Sequence, residues 1–132
     1  MDLRILEIAS NTENNKILAK HTHKSKNKNP MCGDVMEISL LVKDNKVVDM
    51  GYQCKSCVYC QASVSLLSQN IKDKSLDEIR EFIDICENIF ENTKTILEKK
   101  WISFKELFDK KNISRKECLL LPLRTVNKAL DD

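Results

Sequence analysis

Two apolar runs separated by three polar residues constrain this chain more than anything else in it. VMEISLLV (35–42) and KVVDMGYQC (46–54) are rich in strand-forming side chains, and Lys43, Asp44 and Asn45 between them suit a tight turn. The pattern predicts an antiparallel hairpin. Immediately after it, GYQCKSCVYCQAS (51–63) places Cys54, Cys57 and Cys60 three apart. From Cys57 the pattern turns helical through Ala62, Leu66 and Leu67, ending near Asn70. A sheet therefore feeds a helix at a cysteine triplet, and thiols at that spacing fit a metal, a cluster, a disulfide framework or a redox pair.

Size and charge narrow the choice. At 132 residues and 42% hydrophobic content the chain has the material for one core and one domain, 1–132. Twenty-two basic against 20 acidic residues leave a net charge of +2, which marks neither a nucleic-acid binder nor a membrane-surface protein. No apolar run reaches membrane-spanning length, and the first 26 residues lack the features of a secretory signal, with Asp2, Glu7 and Glu13 also arguing against an organellar presequence. The expectation is a cytoplasmic protein whose six cysteines are reduced, serving as ligands, nucleophiles or core residues.

Around the hairpin the chain reads as mostly helical. Leu3, Ile5, Leu6 and Ile8 predict an opening amphipathic helix, with helical register resuming briefly at Ile17 and Leu18. The run KHTHKSKNKN (20–29) has nothing to bury and reads as loop, although a third strand would have to come from the region before residue 29. Ser75 and Glu78 form a capping box ahead of a helix whose apolar stripe is Leu76, Ile79, Ile83, Cys86 and Phe90, so Cys86 reads as core. WISFKELFDKKN (101–112) reads as a short helix or helical turn. Ser114 and Glu117 offer a second capping box, and Leu119, Leu123, Val126 and Leu130 predict a final helix that Pro122 either kinks or starts late. The fold class expected is α+β: a small antiparallel sheet of two or three strands covered on one side by helices, with a metal site at one tip.

The chemistry gathers from three places. In N-P-M-C-G-D (29–34) Pro30 sets a turn, Cys32 offers a thiolate, Gly33 permits close approach, and Asp34 presents a carboxylate. With Cys57 at the strand-to-helix junction and Cys118 at a later helix start, these groups can converge on one ion. Helix starts lower thiol pKa values, and three sulfurs with one oxygen suit zinc or an iron–sulfur cluster. A ferredoxin reading of the triplet fails because Val64 and Ser65 stand where the fourth cysteine and its proline belong. A zinc ribbon would need a second C-x-x-C pair.

The order N-P-x-C-G-D, then a cysteine followed by A-S-x-S, then R-x-x-C resembles the U-type iron–sulfur cluster assembly proteins: IscU, the N-terminal domain of NifU, and SufU. Here these segments are Asn29 to Asp34, Cys57 with Ala62, Ser63 and Ser65, and Arg115 with Cys118. The resemblance implies that Cys57 is the site cysteine, because the family's second cysteine lies five residues before the alanine. It makes Cys54 and Cys60 additions, open to packing, reserve ligation or sulfur relay. The span of 61 positions from Cys57 to Cys118, the extra segment around WISFKELFDKKN, and Glu117 where IscU proteins carry histidine all resemble the SufU branch. Ser56 and Pro122 depart from the family pattern.

What the resemblance implies for function is a small assembly protein that accepts sulfur from a pyridoxal-phosphate cysteine desulfurase and serves downstream iron–sulfur acceptor proteins, with no nucleic-acid or membrane partner. Cys32, Asp34, Cys57 and Cys118 would hold either a transient [2Fe-2S] cluster or zinc, and Cys32 is the candidate sulfur acceptor. In the zinc version the protein is a zinc-dependent sulfurtransferase. A structural zinc domain that docks another protein is the non-enzymatic rival. Glu117 reads as a helix cap or as a substitute oxygen ligand, His21 and His23 as exposed loop residues or a weak metal pair, and the lysines at 20, 24, 26 and 28 as solvating that loop or meeting an acidic partner.

Overall fold

In a computed structural model, which describes residues 3–30, 33–91 and 95–131, the predicted hairpin is the centre of a three-stranded antiparallel sheet in the order β1-β2-β3. β1 is His23–Lys28, β2 Val35–Lys43 and β3 Lys46–Lys55. Lys43 pairs with Lys46, so the turn is the two residues Asp44 and Asn45, both left-handed with φ of 51° and 63°. That is the conformation whose twist matches paired strands, and Asp and Asn tolerate it.

β2 buries Met36, Ile38 and Leu40 by simple alternation. β3 would lose that alternation, but its pairing slips between Leu41 and Val42 and one extra residue enters β3. The bulge lets Val47 and Met50, which have opposite parity, both reach the core.

The third strand corrects the loop expected over 20–29. Only Ser25 of β1 is buried, and its hydroxyl donates to the Thr125 carbonyl at 2.5 Å. This strand is held by its backbone ladder to β2, so hydrophobic periodicity carries no sign of it, and its lysines face solvent at an edge where charge discourages further pairing. The outer edge of β3 is also covered. Tyr52 N–H donates to the Asn14 carbonyl at 3.1 Å, and Val47 exchanges backbone hydrogen bonds with Asp73 and Lys74. The segment around Ile17 and Leu18 is therefore an irregular strap along the sheet, without the helical register expected there.

Four α-helices complete the described chain: α1 (Leu3–Ala9), α2 (Val58–Asn70), α3 (Leu76–Asn88) and α4 (Lys116–Leu130). None is long and apolar enough to cross a membrane. The Ser75–Glu78 capping box forms in both directions at the start of α3, and Cys86 is fully buried in the core, although α3 ends before Phe90. The second expected capping box does not form. Ser114 lies in a 3-10 helix, Lys110–Arg115, that runs straight into α4, so no free helix start exists there to cap. Pro122 sits inside α4, where it neither starts the helix late nor ends it.

The segment between α3 and α4 adds a further 3-10 helix, Lys99–Glu106, and an aromatic cluster. Trp101 stacks on Phe82 with ring centroids 4.1 Å apart, and Phe104 packs on both. Lys74 lies over the Trp101 ring, and Lys100 donates to Glu78 at 2.6 Å.

Two measurements check this packing. A Cβ added at Gly51 would strike the Lys16 carbonyl oxygen of the strap, which is backbone and cannot swing aside. Gly51→Ala should therefore cost about 1–3 kcal/mol in chemical denaturation. Lys100, with the Ser75 cap, holds the Glu78 carboxyl down at about 2. Because the folded value is depressed, the stability it contributes is fully present above the unfolded value of about 4.3 and is lost as pH falls toward 2. Glu78→Gln should flatten that acid limb of the stability profile and lower stability at neutral pH.

Candidate metal and sulfur site

The site forms where three separate pieces of chain meet at one end of α2. Asp34 enters from the turn before β2, Cys57 stands as the N-cap of α2, and Cys118 lies in the first turns of α4. One ligand atom from each lies within 4.8 Å of the other two, and among the described residues this is the group of three suited to a metal. Asp34 and Cys118 are buried and Cys57 is half-buried, so the group is reached from solvent on the Cys57 side.

Local backbone chemistry produces this convergence. Gly33 adopts φ of 77°, a value that L side chains rarely take, and its N–H donates to the Asn29 carbonyl at 2.8 Å. The Asn29 N–H in turn donates to the Asp34 carbonyl at 2.8 Å, closing the turn. That closure aims the Asp34 carboxylate at the helix start, where Oδ1 accepts the Cys57 N–H at 3.2 Å. Oδ2 is buried and has no hydrogen-bond partner among the described residues. A buried carboxylate oxygen left unpaired is costly, and a cation beside it would remove that cost. Two thiols and this oxygen therefore fit a thiophilic metal.

Cys32, the fourth residue expected at the site, lies outside the described residues. Cys54 and Cys60 do not join the close group. Cys60 is fully buried, and burial pushes its thiol well above the ordinary range. Cys54, half-buried at the end of β3, is raised by burial first and by the Asp34 carboxylate as well.

The substitute-ligand reading of Glu117 does not hold. Its carboxylate accepts from Arg124 Nη1, and Arg124 also grips Glu87 at 2.8 Å, so Glu117 belongs to an ion-pair network joining α3 and α4. His23 is engaged with the Thr22 hydroxyl at 2.8 Å, and neither histidine belongs to the three-ligand group.

Several residues of the quoted motifs work as supports. Ser63 donates to the Leu119 carbonyl at 2.7 Å, binding α2 to the turn that carries Cys118. Ser65 donates to the Asn11 carbonyl at 2.7 Å, binding α2 to the strap. Arg115 lies 5.2 Å over the Tyr59 ring, clasping the start of α4 to the first turn of α2. Tyr59 gave no signal in sequence, because its contribution is position alone. Glu117→Ala should leave metal stoichiometry, read by elemental analysis, unchanged, whereas Asp34→Ala should lower it.

Comparison with known proteins agrees with this architecture. The family model for the NifU-like N-terminal domain matches residues 2–104, ending before Cys118. The iron–sulfur cluster assembly scaffold protein IscU of Thermotoga maritima is 32% identical over 104 residues, covering 78% of this chain and 72% of that protein. Two IscU scaffold proteins of Archaeoglobus fulgidus are 38% identical over 50 residues, a match spanning 33% of their length. Among solved structures, a NifU-like protein (N-terminal) from Brucella abortus superposes with a TM-score of 0.90 at 24% identity, covering 98% of this chain and 91% of that one. A SUF-system scaffold, SufU, from Fervidobacterium islandicum does so with a TM-score of 0.87 at 23% identity, covering 98% and 96%. At these identities the two structures speak for the fold, and with the match across residues 2–104 they place this chain in the NifU-like N-terminal domain family.

Proposed function

We propose that this protein assembles iron–sulfur clusters, taking sulfur from a pyridoxal-phosphate cysteine desulfurase and building a [2Fe-2S] unit on Cys32, Asp34, Cys57 and Cys118 for delivery to acceptor proteins in the cytoplasm. The observation that carries this reading is the meeting of Asp34, Cys57 and Cys118 within 4.8 Å, with one Asp34 oxygen buried and without a hydrogen-bond partner among the described residues. Soft thiolates hold iron and sulfide, and the harder carboxylate is the weaker corner, from which a cluster can be released. Family membership and the scaffold function named for the IscU relatives support the same reading.

A second reading, a zinc-dependent sulfurtransferase, is favoured by how compact the group is. Four-coordinate zinc, with bonds of about 2.0–2.3 Å to oxygen and sulfur, can be held by ligand atoms that all lie within 4.8 Å of one another. In this reading Cys32 accepts the sulfur, and a thiolate freed from zinc supplies the nucleophile that thiol exchange requires. The inserted aromatic segment between α3 and α4, which resembles that of SufU, points the same way.

The purely structural zinc domain is the weakest alternative, because the aromatic cluster of Phe82, Trp101 and Phe104 and the apolar face of the sheet supply a core well beyond the buried site residue Cys118. Zinc, iron and acid-labile sulfide per chain, measured after anaerobic purification beside Cys32→Ser, separate the readings. Iron and sulfide in equal amounts support the cluster scaffold; near-stoichiometric zinc without sulfide, weakened in the variant, supports the transferase; absence of all three refutes the site. A chelator should leave a cooperative thermal transition, whereas loss of that transition would support the structural domain.

A further inference from the structure

Cys57 and Cys60 form a C-x-x-C pair at the start of a helix. Cys57 is the N-cap, with an extended backbone (φ −69°, ψ 166°), and its carbonyl accepts the Gln61 N–H at 3.0 Å, so Cys60 is the third residue of α2. The side chain of an N-cap faces the third helical residue, the pair that a capping box joins, and modest adjustment of the first turn brings two thiols there within reach of a disulfide. The two thiols are unequally placed. Cys57 is half-buried at the accessible side of the site, and Cys60 is fully buried one turn below it, one turn before Ser63, which bonds to α4. An accessible thiol with a buried partner at a helix start is the arrangement of dithiol redox motifs.

We propose that Cys60 is a resolving thiol that converts sulfur delivered to Cys57 into sulfide. This rests on the sulfur-accepting function proposed above, with the outer sulfur of a Cys32 persulfide passed to Cys57 as Cys32 is left a thiol, and adds to it an internal source of reducing equivalents. When Cys57, released from metal, carries a persulfide, the Cys60 sulfur attacks Cys57 Sγ. A Cys57–Cys60 bond forms, the bond from Cys57 Sγ to the outer sulfur breaks, and the bonding pair leaves with the outer sulfur as hydrosulfide. The Cys60 proton leaves with it, so one persulfide and one thiol become one disulfide and one molecule of hydrogen sulfide. The outer sulfur is reduced as the Cys60 sulfur is oxidised. A dithiol reductant then restores both thiols for the next turnover. The burial of Cys60 keeps it away from solvent oxidants until a persulfide stands beside it.

The test uses the full-length protein, anaerobic and freed of metal by chelator, treated with sodium polysulfide and then desalted without added thiol. Sulfide release and intact mass are followed for wild type, Cys60→Ser, Cys60→Ala and Cys54→Ser, with disulfides mapped by peptide mass. Wild type and Cys54→Ser should release about one sulfide per chain and gain a Cys57–Cys60 disulfide. Both Cys60 variants should instead retain one added sulfur atom and release at least tenfold less. Cys60→Ala guards against a fold lost to a buried hydroxyl. Release from the Cys60 variants at the wild-type rate, a stable persulfide on wild type, or a disulfide to Cys32 or Cys54 would overturn the proposal while leaving sulfur acceptance intact. Absence of added sulfur on every variant, with no sulfide released, would instead refute sulfur acceptance and the proposal with it.

Discussion

The hydrogen bond from the Cys57 N–H to Asp34 Oδ1 is the constraint around which the site is organised. A helix start carries unpaired N–H groups and a positive end, and a carboxylate is their natural partner. Here that carboxylate comes from the turn before β2, so one bond ties the sheet's entry to the helix that follows its last strand. It also fixes the side chain so that only its other oxygen remains for a metal. The left-handed Gly33 and the closed turn from Asn29 to Asp34 make that aim possible.

α2 then acts as the hub. Its buried residues lie on more than one side, and several are small or hydroxylated, which allows β3, α4, α1 and the strap to approach closely. The hydroxyls of Ser63 and Ser65 answer carbonyls of two different neighbours, so residues that read as a family signature in sequence are structural staples holding Cys118 and the strap against the helix. The aromatic segment between α3 and α4 stacks on Phe82 of α3 and also packs on α2 and α4.

Sharing Cys57 between a metal group and a dithiol pair gives the two states a mutual exclusivity. While Cys57 binds metal its sulfur is not available to Cys60, and once it is joined to Cys60 it cannot ligate. Metal departure and sulfide release would then be linked steps at one atom, and the half-buried position of that atom suits contact with a donor protein's persulfide.

Much of this was legible in the residues. The hairpin and its Asp44-Asn45 turn, the start of α2 at the cysteine triplet, the capping box of α3 and the core place of Cys86 followed from local pattern, because turn chemistry, caps and hydrophobic period act over a few residues. The ligand set came from motif order. β1 was not legible, since HKSKNK is held by backbone pairing and a single buried serine; nor was the role of Glu117, whose partner Arg124 shares it with Glu87 on a different helix. Sequence by itself determined the hairpin, the main helices and which chemical groups are present. Only the tertiary structure decided that Asp34, Cys57 and Cys118 stand together and that Cys54 stands apart, because those distances depend on how α2 and α4 pack across the sheet and not on spacing along the chain.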